Sequence, residues 1–256
     1  MRTDTDLTLG KVPALTLLFW IIKVAATTLG ETAGDAVTMS MNLGYLVGTV
    51  IFAALFVAAA GAQIAAKRFH APLFWAVIVA TTTCGTTLAD YVDRSLGIGY
   101  PGGAGLLALL LAGALAWWYR ALGSVSINRL DSRKAEVFYW MTIMLSQTLG
   151  TALGDWFADP ETGLGFGYQG SALIFGAALL LLVGAYRWTR VSRTALFWAA
   201  FILSRPLGAT VGDFLDKPVL SGGLALNRYS ATAWLAAFIV GCIVLVPQTA
   251  ERVAND

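Results

Sequence analysis

WIIKVAATTLGETAGD, residues 20–35, decides how this chain is read, because its plan returns three more times. The other copies are WAVIVATTTCGTTLAD at 75–90, WMTIMLSQTLGTALGD at 140–155 and WAAFILSRPLGATVGD at 198–213. Each begins at a tryptophan (Trp20, Trp75, Trp140, Trp198), meets a glycine ten residues on (Gly30, Gly85, Gly150, Gly208) and ends at an aspartate fifteen residues on (Asp35, Asp90, Asp155, Asp213). All four lie in apolar stretches long enough to cross a bilayer. Carboxylates inside membrane helices are costly, so four at matching places need an explanation.

Composition bounds the class. The chain has 256 residues, of which 57% are hydrophobic and 12% charged, with nine Trp; its mean hydropathy is +0.70. A soluble domain is about one-quarter charged, so this composition predicts an all-α, polytopic membrane protein. The formal net charge of +2 does not point to nucleic acid, since the basic residues sit in short loops and not in a patch with stacking aromatics. Cys84 and Cys242 lie in apolar segments and are expected to be core residues. No cleavable leader is expected, because the polar stretch 1–10 is followed by an apolar segment that runs straight into the first repeat.

A transmembrane helix needs about twenty apolar residues. Eight spans are expected, at 13–35, 44–66, 72–91, 103–122, 136–157, 170–189, 194–214 and 229–247. They form four two-helix hairpins. The first helix of each carries the motif and the second is plain. The polar linker 123–135, GSVSINRLDSRKA, separates a first half (1–122, repeats 1 and 2) from a second (136–256, repeats 3 and 4). Arg2, Lys11, Lys67, Arg68, Arg120, Arg129, Arg133, Lys134, Arg187, Arg190, Arg193 and Arg252 fall on one side of these spans, and only Arg94, Lys217 and Arg228 on the other. That bias is expected to place both termini in the cytoplasm. Two crossings per unit make the repeats parallel.

Every fourth position of the four motif helices falls on one face. The first reads Lys23, Thr27, Glu31, Asp35; the second Ile78, Thr82, Thr86, Asp90; the third Ile143, Gln147, Thr151, Asp155; the fourth Phe201, Arg205, Ala209, Asp213. Such a polar stripe should face the bundle interior or a water-filled cavity. Beside it, Gly30 and Gly34, Gly85 and Ala89, Gly150 and Gly154, and Gly208 and Gly212 are small residues four apart, the spacing that lets membrane helices approach closely. Glu31 and the four aspartates are five acids against Lys23 and Arg205, a formal interior charge of minus three. Like charges that share a site are not all ionised, so the excess is met by protons, bound cations or water. The aspartates also sit about 22 Å along the helix from their tryptophans, near helix C-termini, where the dipole disfavours a carboxylate.

Lys23 and Arg205 are expected to pair with Glu31 or with an aspartate of another repeat and to act as built-in counter-charges. Pro206 should kink its helix and free a carbonyl. The hairpin tips end in Tyr45, Tyr100, Tyr168 and Tyr229, read first as interfacial anchors and second as an outer gate over the aspartates. The four Trp are read as anchoring or packing groups, and His70 is given no role. No nucleotide loop, nucleophile–base pair or Cys/His cluster is present, so catalysis is not expected.

The fourfold spacing of Trp, Gly and Asp resembles a bacterial family of integral membrane proteins built from four tandem two-helix units, labelled a repeat of unknown function. The likeness covers about residues 13–247 and implies this fold and an inner-membrane location, but no substrate. The residues favour transport of a small cation, such as a divalent metal like manganese, balanced by protons. Its oxygen ligands would come from Asp35, Asp90, Asp155, Asp213, Glu31, Thr27, Thr82, Thr86, Gln147 and Thr151, with the four aspartates as metal ligands. A channel with a pseudo-fourfold acidic ring and a non-transporting scaffold or sensor are the alternatives. The expected partners are the lipid bilayer and the cation or protons. No cofactor beyond a bound cation is expected, and the oligomeric state is left open.

Overall fold

A computed structural model of the protein describes residues 9–130 and 132–252. Arg2 and most of the polar 1–10 stretch lie outside those residues. The described chain forms eight long helices: α1 (Leu17–Asp35), α2 (Gly44–Ala65), α3 (Ala71–Asp90), α4 (Tyr100–Leu122), α5 (Arg133–Ala158), α6 (Gly167–Trp188), α7 (Arg193–Asp216) and α8 (Arg228–Leu245). Local chemistry marks their starts. The side chains of Thr16, Ser132, Ser192 and Asn227 cap α1, α5, α7 and α8 by accepting from backbone N–H groups of the first turn. Proline stands in the first turn of α3 and α4. Gly123, at φ 74°, closes α4 in the left-handed conformation.

Seven of these helices are long and apolar enough to cross a membrane, which is the make-up of a multi-pass membrane protein. The eighth, α5, begins with Arg133, Lys134 and Glu136 and carries a dense run of hydroxyl and amide side chains. Pro206 does not break its helix; α7 runs unbroken from Arg193 to Asp216. The first span was expected from residue 13, but Leu9–Pro13 forms a strand, β1, antiparallel to β2 (Ala250–Arg252). This ribbon joins the first and last described segments.

The motif helices α1, α3, α5 and α7 form an inner ring in which each touches the next and α7 closes onto α1. The plain helices make an outer ring, but they do not pack mainly on their own repeat. Instead α2 lies on α3, α4 on α5, α6 on α7 and α8 on α1. The expected hairpin therefore opens, and its second helix clasps the first helix of the following repeat. In repeats 1 and 2, α1 and α3 run on into π-helical turns, Ala36–Ser40 and Tyr91–Ser95. The contacts of α2 and α4 with their own repeat are made largely through these turns. The inner helices α1, α3 and α7 are 61–67% buried over their most apolar window, whereas the outer helices are only 6–22% buried. The outer helices thus turn their Leu, Val and Ala side chains outward.

One end of the inner ring is aromatic. Trp75, Trp140 and Trp198 are buried and Trp20 is half-buried, and these join Phe19, Phe74, Tyr139, Trp118 and Phe197 in edge-on and tilted contacts. Two indoles also have hydrogen-bond partners: Trp75 Nε1 donates to Gln248 Oε1 at 2.8 Å and Trp198 Nε1 to the Val125 carbonyl at 2.9 Å. At this end the tryptophans act as packing groups.

Candidate functional site

The stripe faces the axis of the inner ring. None of its sixteen residues is more than 5% exposed. The repeat glycines set the seams. A Cβ on Gly30 would stand 2.5 Å from Thr82 Cγ2, and one on Gly85 2.9 Å from the Thr148 nitrogen and 3.0 Å from Gln147 Cβ. One on Gly150 would strike Arg205, and one on Gly208 would strike Thr27. Each glycine thus abuts the residue three positions before the glycine of the next inner helix, and the fourth seam returns to the first. The second small residue repeats the register one turn further along: Gly34 on Thr86, Gly154 on Ala209 and Gly212 on Glu31. Contacts that climb two helices in step belong to parallel neighbours. The stripe positions therefore stack as four layers along the axis.

The first layer, beside the aromatic end, holds Lys23 with Ile78, Ile143 and Phe201. Lys23 was expected to meet a carboxylate. Instead its ammonium stands 4.2 Å over the Phe201 ring and 3.4 Å from Ser204 Oγ, and among the described residues it makes no ion pair. Arg205 has taken Glu31. From the next layer (Thr27, Thr82, Gln147, Arg205), Arg205 Nη2 donates to Glu31 Oε2 at 3.0 Å, Thr86 Oγ1 at 2.5 Å and Thr151 Oγ1 at 2.6 Å. A guanidinium from α7 therefore holds α1, α3 and α5 together across the axis. Bonds to a charged donor of this kind are the strong ones, and they offset part of the large cost of burying the pair. Arg205 Nε, Thr82 Oγ1 and both polar ends of Gln147 are buried without a protein partner.

The layer at the opposite end of the axis holds the four aspartates in two pairs. Lys217 bridges Asp35 and Asp213, the latter at 3.1 Å. Arg94 bridges Asp90 at 3.2 Å and Asp155 at 3.5 Å. Each pair joins the first half of the chain to the second, repeat 1 with repeat 4 and repeat 2 with repeat 3. Arg228 adds a contact to Asp216 at 2.9 Å and a longer one to Asp35 at 3.8 Å. Asp35, Asp213 and Asp216, all buried, offer oxygens within 4.8 Å of one another. Asp93 is buried as well, with neither carboxylate oxygen hydrogen-bonded. Burial disfavours the Lys217 ammonium, but Asp213, Asp35 and Asp216 outweigh it and hold its pKa well above the ordinary lysine value.

Arg94, Lys217, Arg228, Asp93 and Asp216 lie off the stripe, and in the sequence the first three stand only as loop charges. A signal was present. Repeats 2 and 4 read Asp-x-x-Asp followed by a base, as DYVDR at 90–94 and DFLDK at 213–217. The i, i+4 spacing returns Arg94 to Asp90 and Lys217 to Asp213. Two tip tyrosines also bear on the site: Tyr45 Oη accepts from Arg94 Nη1 at 3.1 Å, and the Tyr45 and Tyr100 rings flank the same guanidinium. Tyr229 is exposed.

Residues 18–69, 73–123, 138–192 and 196–247 each match the family described as Repeat of Unknown Function (DUF347). No curated protein and no solved structure matches the chain.

Proposed function

Because the chain belongs to the Repeat of Unknown Function (DUF347) family, and the four matched repeats are what build the axis, we propose that it transports a small cation across the membrane through the outer acidic layer, in exchange for protons. A hard divalent cation such as manganese suits carboxylate ligands. The observation that carries this reading is the charge imbalance: six buried aspartates (Asp35, Asp90, Asp93, Asp155, Asp213, Asp216) against Arg94, Lys217 and Arg228 at one end of a membrane bundle. A purely structural network would be closer to neutral, since an unpaired buried carboxylate is destabilising. In this reading all eight helices cross, both termini are cytoplasmic in the bacterial inner membrane, and the acidic layer opens outward. α5 crosses because its polar residues face the axis and not lipid. The protein works by binding and conformational exchange, not by catalysis.

A static pore with a ring of four aspartates fits less well. Arg205 is permanently charged and stands across the axis just inside that ring, where it repels a cation moving inward. Transport therefore needs a second arrangement of the inner helices. The test is cation flux into proteoliposomes, with manganese, calcium, sodium and potassium offered in turn under an imposed pH gradient. Wild type should move at least one of them, and the Asp35→Asn/Asp90→Asn/Asp155→Asn/Asp213→Asn variant should lose at least nine-tenths of that flux while still eluting as a folded monodisperse species. Equal flux in both proteins would take the four aspartates out of the cation path, and no flux in either would leave the scaffold reading standing.

A further inference from the structure

We infer that only one of the two aspartate pairs is the exchangeable cation site, the one around Lys217, and that the Lys217 ammonium fills it in the cation-free protein and leaves when a divalent cation enters. This rests on the cation reading above and narrows it to Asp35, Asp213 and Asp216. Their three oxygens lie within 4.8 Å of one another, about twice the 2.3–2.6 Å ion-to-oxygen distance of a calcium-like cation. Independently of that clustering, Asp35 Oδ1 and Asp216 Oδ1 are buried and accept no hydrogen bond, although Lys217 and Arg228 contact the other oxygen of each carboxylate. A single ammonium and a guanidinium leave that acceptor capacity unused; a multidentate cation uses it. The charges agree. With Lys217 in place, three carboxylates face two bases, Lys217 and Arg228. With Lys217 withdrawn the site carries minus two, which one dication neutralises.

The geometry lets Lys217 leave without disturbing the fold. Its backbone is held on both sides: its N–H donates to the Asp213 carbonyl and its carbonyl accepts from Ala225. The ammonium sits at the end of a flexible four-carbon stem, and the chain beyond it passes at once into an outer loop in which Leu220 is fully exposed. Exchange is therefore a change of side-chain rotamer. The Arg94 pair differs at each point. Arg94 grips both carboxylates with a planar fork, is bonded to Tyr45 and is flanked by two rings. Among the described residues no third carboxylate converges there as Asp216 does at Lys217. That pair stays closed and ties repeats 2 and 3 together.

The experiment is calorimetric titration of purified full-length protein with manganese and with calcium, for wild type, Lys217→Gln, Arg94→Gln and Asp216→Asn. Removing the tethered competitor should tighten binding of the preferred dication at least tenfold in Lys217→Gln. Arg94→Gln should not tighten it, and Asp216→Asn should weaken it at least tenfold. Binding in wild type with no tightening in Lys217→Gln overturns the inference and leaves the cation reading intact. No binding of either dication to wild type or to Lys217→Gln defeats both. If the variants do not fold, acylation of the wild-type Lys217 amine gives the answer: saturating dication should speed it at least threefold by expelling the ammonium to solvent, and a dication that binds without changing that rate overturns the exchange.

Discussion

Arg205 shows what a single side chain does in this bundle. It is fully buried, and among the described residues its one carboxylate partner is Glu31. Removing one member of a buried pair leaves an uncompensated charge and costs about 3–5 kcal/mol. Glu31→Gln should therefore lower stability by about that much. The double variant Glu31→Gln/Arg205→Met should recover part of the loss, because it removes both charges from a site otherwise lined by Thr86 and Thr151. Chemical unfolding in detergent of the two single variants and the double measures this coupling; additive losses would mean that the pair is not a unit. A second residue-scale case is Asp159, in the turn after α5. Although partial burial acts against its ionisation, backbone N–H groups of Thr162 and Glu161 and the Thr162 hydroxyl hold its carboxyl below the usual pKa. A depressed carboxyl contributes stability above its unfolded pKa and loses it as pH falls through its folded one. Asp159→Ala should thus destabilise the turn at pH 7, seen as faster proteolysis at 159–166, with the difference from wild type vanishing at pH values below the folded pKa.

At the scale of the helix, the glycines of one sequence have two fates. Gly30, Gly85, Gly150 and Gly208 lie where no Cβ fits, whereas a Cβ on Gly61, Gly113, Gly176 or Gly241, all on outer helices, would meet nothing within 4 Å. Gly208→Leu and Gly30→Leu should therefore abolish recovery of folded, monodisperse protein, while Gly113→Leu and Gly241→Leu should leave yield and thermal midpoint within a few degrees of wild type. Comparable loss in all four variants would mean that helix spacing is not set at the repeat glycines. The small-residue spacing in the sequence had pointed to close approach at these helices. It could not reveal the partner of each glycine, because that depends on which helix follows which around the ring.

At the scale of the whole molecule, closure is the decisive event. Helix α4 of the first half clasps α5 of the second, α8 returns to clasp α1, and β1 pairs with β2. The halves 1–122 and 136–256 thus share two seams and two cross-half aspartate pairs. Co-expressed as separate chains they should assemble and co-purify through a tag on either one. Each expressed alone should be recovered at less than about one-tenth of that yield, because a half ring exposes both its seam and its charged axis to lipid. Independent recovery of either half in stable form would show that closure is not needed.

The repeat, the helical class and the face that must turn inward are legible in the amino-acid order alone, because fourfold spacing and a polar stripe in apolar helices are local patterns with one economical solution. That order also marked every residue of the axial layers, since residues four apart share a helix face whatever the tertiary fold. The partners were set by how the helices pack. Lys23 lost Glu31 to Arg205 because the guanidinium, four positions further along the stripe, reaches three neighbouring helices at once. Each hairpin opened because its second helix finds its groove on the next repeat. Arg94, Lys217 and Arg228 changed from loop charges to members of the acidic site because the ends of α3, α7 and α8 converge on the same end of the axis. That convergence is a relation between distant segments, and no window of sequence contains it.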